Sequence, residues 1–153
     1  MEDRAAMQAA PPFRSAVAGL LAGLFVVFAG SFPTLAASEG VGVELNKLED
    51  QGSACQAFMV LENGTDLAFE SLSLDLVLFD GAGIIARRLA VEMAPLRPGR
   101  TSVKVFGIEG IACADLGRIL VNDVLSCQAG GAPRDDCLGL VQTSSRAPVE
   151  LIN

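Results

Sequence analysis

The sequence predicts an all-β protein: a sandwich of about seven short strands, tied by disulfides and preceded by an N-terminal export signal. Three observations carry that expectation. Short runs of alternating apolar and polar residues recur along the chain and stop at Gly, Pro, Asn or Asp. The four cysteines, Cys55, Cys113, Cys127 and Cys137, form an even set, as a disulfide framework in an oxidising compartment requires. Ahead of them, residues 15–37 carry no charge, have a strongly apolar centre over residues 20–28, and end on small residues at Ala36, Ala37 and Ser38. That order is the pattern of a secretory leader.

Residues 1–37 are therefore read as a signal peptide and 38–153 as a single domain. A retained membrane anchor is the alternative, because about 20 apolar residues suffice to span a bilayer. The strongly apolar part is short, however, and Gly30, Ser31 and Pro33 interrupt the segment beyond it. Arg4 and Arg14 give the n-region its positive charge, offset by Glu2 and Asp3.

In the domain, residues 41–45 alternate as a first short strand. Residues 55–61 form a second, ended by Asn63-Gly64, a hairpin signal. In the third, Leu72, Leu74, Leu76 and Leu78 share one face, and the other changes from Ser73 and Asp75 to Val77 and Phe79. A strand half exposed at its start and covered at its end reads this way. The tight turn 80–83 has Gly at positions that tolerate positive φ. A fourth strand comes next over 84–93, then a Pro98-Gly99 turn and a fifth strand over 101–106. Residues 107–117 read as loop.

The run 116–127 fits two templates. Leu116, Ile119, Leu120, Val124 and Cys127 share a helical face, whereas Ile119, Val121, Leu125 and Cys127 share a strand face. Its β neighbours favour the strand. After a loop over 128–136, residues 138–152 supply a last strand pair or one bent strand interrupted near Pro148. The count matches a β-sandwich. Four cysteines allow three pairings. The favoured one closes the short loop with Cys127–Cys137 and joins a strand start to a loop with Cys55–Cys113.

Composition excludes more than it assigns. The chain has no His, Trp or Tyr, so the commonest general base and zinc ligand are missing, and Ser–His and Cys–His nucleophile pairs with them. Its net charge is −7, and the leader's charges cancel, leaving the domain equally acidic. Such a surface disfavours nucleic acid and anionic lipid. Arginine outnumbers lysine, and Ala and Gly are abundant, a usage that points to a GC-rich bacterium and hence a periplasm. No cofactor is expected.

Few residue groups invite a functional reading. Arg87, Arg88, Arg97 and Arg100 form a basic group in an acidic chain, a candidate partner-binding patch if they converge; edge-strand protection is the plainer account. Asp75, Asp80 and Asp123 are the carboxylates an enzyme without His would have to use. Asp80 is better explained by turn chemistry, since a calcium loop needs several oxygen ligands, and Asp135-Asp136 by solvation. Asn63-Gly-Thr65 matches a glycosylation sequon within a turn. No C-x-x-C spacing occurs, so the cysteines read as structural.

One stretch has a family cadence. Asn63-Gly64 ends a strand, residues 72–79 lead into Asp80-Gly-Ala-Gly83, and Leu96-Arg-Pro98-Gly99 turns the chain into residues 103–106. This resembles the FxLYD-like group of small exported bacterial domains, and the whole domain is similar to uncharacterised exported proteins of alphaproteobacteria. The resemblance implies an immunoglobulin-like sandwich. It covers residues 58–106, has Phe79 where Tyr is usual, and leaves the cysteine-bearing C-terminal part outside. Such a fold hosts many functions.

The functional expectation is a non-enzymatic periplasmic protein, an interaction or accessory domain whose partner is another envelope protein, engaged through an exposed sheet edge. The expected edges are residues 41–45 and 149–152. Contact with a membrane arises only if the leader is retained. The alternatives are a small-molecule or lipid carrier, an anchored accessory of an envelope transport complex, and a carboxylate enzyme.

Overall fold

A computed structural model describes residues 39–153, so the leader reading lies outside the described residues. They form a β-sandwich: β1 (Val41–Gln51), β2 (Ala54–Asn63), β3 (Phe69–Asp80), β4 (Ile85–Glu92), β5 (Thr101–Glu109), β6 (Leu116–Ala129), β7 (Ala132–Pro133), β8 (Val141–Ser145) and β9 (Glu150–Ile152). Short 3-10 turns at Cys113–Asp115 and Cys137–Leu140 precede β6 and β8. One sheet has the order β5-β2-β1-β8, and the other β4-β3-β6-β7 with β9 also beside β6. Pairing is antiparallel except where β8 joins β1 and β9 joins β6. Among the described residues no helix is long and apolar enough to cross a membrane.

Alternation builds the core. Leu72, Leu74, Leu76 and Leu78 of β3 are fully buried and face Val43, Leu45, Met59 and Leu61 of the opposite sheet, with Ile119 and Val121 of β6 beside them. Burying such a side chain contributes roughly 1.5–3 kcal/mol. Gly83 and Gly99 have φ of 80° and 61°, so both expected turns use a left-handed glycine. The run 116–127 is a strand, but Leu125 is exposed rather than buried with Cys127. Against β3, Asn122 and Leu125 are extra residues where the register slips, and each such bulge reverses the face of the residues after it.

Other expectations are corrected. Asn63-Gly64 is no hairpin: β2 and β3 lie in different sheets, and the chain crosses between them. The Asn63 side chain makes the corner instead. Fully buried, it donates to Leu67 O at 2.7 Å and accepts from Thr65 N at 3.1 Å and Thr65 Oγ1 at 2.7 Å. A sequon asparagine engaged in this way offers no free amide. Residues 41–45 are not an edge, because β1 is enclosed by β2 and β8. The expected loop over 107–117 is strand as far as Glu109 and a 3-10 turn after Ala112. The last two strands do not pair with each other; β8 and β9 go to separate sheets.

Candidate interaction surface

The four arginines do not converge. Arg87 lies against Gly110, just beyond β5, where an added Cβ would sit 2.7 Å from its Nη2. Arg97 and Arg100 flank the turn that enters β5 and line an open depression of about 210 Å³ with Pro95, Thr101 and Ser102. The length of β5 separates the two places, roughly 30 Å at about 3.3 Å per residue. Proximity in sequence was misleading here because an extended strand intervenes.

Arg88 has a structural partner. Its Nε and Nη2 donate to Asp75 Oδ1 and Oδ2, both at 2.6 Å, and Asn122 Nδ2 donates to Oδ2 at 2.7 Å. Asp75, expected on an exposed face, is only 2% exposed, because those two side chains lie over it. The Arg88 guanidinium holds the Asp75 carboxyl below the usual aspartate range, aided by Asn122 and opposed by desolvation. Asp75 in turn raises Arg88. The bulge residue Asn122 was not singled out from sequence, because only the register places it here. Asp123 is the cross-strand neighbour of Asp75, but its Oδ1 accepts from Val124 N. Acid–base catalysis needs a carboxyl whose proton is held near neutral pH; Asp75 is shifted the other way.

Asp80 and Asp136 are also engaged. Asp80 Oδ1 accepts from Ala82 N at 2.9 Å and Ile84 N at 2.8 Å, closing its turn. Asp136 is ion-paired with Arg134, which lowers its carboxyl. Among the described residues no group of three or more His, Cys, Asp or Glu is placed to hold a metal ion. The cysteines pair as Cys55–Cys113 and Cys127–Cys137, and none is free. The first bridge joins β2 to the turn after β5; the second ties β6 to the turn before β8. Two structural bridges in one small domain mark an oxidising, extracytoplasmic compartment.

Exposed apolar side chains concentrate on one lateral side. β4 and β5 end their respective sheets and are consecutive in the chain. Ile84 and Ile85, just before and at the start of β4, are 64% and 63% exposed, and Val103 and Val105 are 63% and 43% exposed on β5. Edge protection was the plainer account of Arg87 and Arg88, and β4 is an edge, but neither β4 nor β5 was expected as the docking edge, since which strands end a sheet depends on distant pairings. β9 does lie beside β6, yet it spans only Glu150–Ile152.

No protein-family model and no curated protein matches the chain. Among solved structures, it is similar to IrmA from Escherichia coli, with a TM-score of 0.50 and 15% identity, over 68% of this chain and 90% of that one. At that identity the likeness concerns the fold alone.

Proposed function

We propose that this chain is a non-enzymatic accessory domain of the bacterial cell envelope that docks another envelope protein on its β4–β5 side. The observation that carries this reading is the pair of long strands ending their sheets with exposed Ile84, Ile85, Val103 and Val105. Unpaired backbone groups and apolar side chains together are what a docking strand uses. The disulfides support a periplasmic site, with residues 1–37 as the export signal. The engaged carboxylates support the absence of an enzyme. The resemblance to FxLYD-like domains belongs to the same proposal. A carrier role has less support, because fully buried side chains such as Met59, Leu61 and Leu76 fill the space between the sheets.

Site-specific photo-crosslinking in the native host tests the reading. A photoreactive residue at Val103 or Ile85 should yield a discrete adduct with an envelope protein, and one at Glu49 on β1 should not. Absence of adducts from both edge positions, at normal protein levels, refutes it.

A further inference from the structure

We propose that β5 also pairs with β5 of a second copy of this chain, antiparallel, about a two-fold axis at Val105. The inference rests on the reading that the β4–β5 side is a docking side, and names one occupant. Hydrogen-bond parity sets the register. Asn63 N donates to Arg100 O at 3.1 Å, and the β2–β5 register runs without a slip from Glu62↔Thr101 to Ala54↔Glu109. Backbone groups alternate in direction along a strand. The even-numbered residues of β5 therefore bond β2, and Thr101, Val103, Val105, Gly107 and Glu109 direct their N–H and C=O groups outward.

An axis at Val105 uses all of these. Val105 then faces the second copy's Val105, Val103 faces its Gly107, and Thr101 faces its Glu109. Gly107 is the telling residue. Its backbone is not among the left-handed glycines, and an added Cβ would meet only Glu109 Oε1, at 3.4 Å. Its own fold thus has no need of glycine there. In a strand, glycine often marks the close approach of another backbone, and here it leaves room for the opposing Val103 side chain. Within residues 101–109 no like charges face each other: each Lys104 opposes a Phe106 and each Glu109 a Thr101. An axis at Lys104 would set two lysines against each other, and one at Val103 would leave Gly107 and Glu109 unpaired.

The other long edges are less suited. Asn153 Nδ2 donates to Val141 O at 2.9 Å, covering the start of β8. β4 carries Arg87 and Arg88 side by side and slips register at its turn end, so a symmetric pair would repeat like charges.

The test is the mass of the disulfide-intact protein, by sedimentation equilibrium from micromolar to millimolar concentration, together with amide hydrogen exchange. The expected result is a concentration-dependent dimer in which the amides of Val103, Val105 and Gly107 are protected. Val105→Lys brings two ammonium groups to the axis and should weaken association about a hundredfold or more. Leu125→Lys, at an exposed position on β6 of the other sheet, should leave it unchanged, and far-UV circular dichroism establishes that both variants fold. A monomer at every concentration with those amides exchanging freely overturns the proposal, as does a dimer indifferent to Val105→Lys. A monomer that still crosslinks from Val103 to a different envelope protein sinks the second copy and keeps the accessory reading. A dimer whose only adduct in the host is with itself does the reverse.

Discussion

Removing the two disulfides separately should destabilise the domain by different amounts, and the loops they close set the difference. Cys55–Cys113 spans 58 residues and Cys127–Cys137 spans 10. If a bridge acts by restricting the unfolded chain, its contribution grows with the logarithm of loop length, giving about 4.2 kcal/mol for the first and about 2.7 kcal/mol for the second. Paired Cys→Ala replacements remove two sulfurs in each case, so the lost packing largely cancels in the comparison. Both losses are large fractions of an ordinary domain stability of roughly 5–15 kcal/mol. The assay is urea unfolding followed by far-UV circular dichroism, because a chain without Trp or Tyr gives little intrinsic fluorescence. With a slope near 1.5 kcal/mol/M, the midpoints should fall by about 3 M and about 2 M. Opening the longer loop should also expand the unfolded ensemble and steepen the slope. Equal losses, or a larger loss from the short loop, would refute the chain-entropy argument.

Three more perturbations test single contacts. Asn63→Ala strands the carbonyl of Leu67 and the amide of Thr65 at a buried corner and should cost about 3 kcal/mol in urea unfolding; a cost near zero would mean the corner is held by other contacts. Gly117→Ala drives a methyl group into the Asp80 backbone and should cost about 2 kcal/mol, whereas Gly81→Ala, with nothing within 4 Å, should be close to neutral by the same assay. Because the folded Asp75 carboxyl is held below its unfolded value of about 3.9, its contribution is complete above that value and is lost as the pH falls through the folded one. The Tm gap between wild type and Asp75→Asn should therefore narrow below about pH 4, and a gap constant throughout acid would contradict the ion-pair account.

The strands were legible because their cause is local. The alternating leucines of β3 need only a period of two and a core to face, and both glycine turns announce themselves by residue type. What failed to read was set at long range. Leu125 faces solvent because the bulges against β3 slip the register, and nothing in residues 116–127 alone signals that. Asn63-Gly64 has hairpin chemistry, yet the asparagine amide is taken up by Leu67 and Thr65 and the chain changes sheets. The candidate surface suffered most. An edge exists only after all pairings are made, so the β1–β8 pairing enclosed the strand that looked free and left β5 bare.

How firmly β5 is held bears on what it can bind. Its entrance is anchored by the hydrogen bond from Asn63 N to Arg100 O. Its exit is anchored by Cys113, bonded to Cys55 on β2, and Cys55 is itself the register partner of Ile108. An edge fixed at both ends loses little conformational freedom when another strand joins it, and that saving appears as affinity. Removing Cys55–Cys113 leaves the exit of β5, Gly107 and Glu109 included, free to fray. Removing Cys127–Cys137 loosens β6 and the turn before β8, which no part of the β5 pairing touches. The first replacement should therefore weaken self-association about tenfold under conditions where the variant remains folded, and the second should leave it within a factor of two or so. Sedimentation of the two variants side by side decides it, and equal weakening would mean that the bridge serves the stability of the domain and contributes nothing to the readiness of its edge.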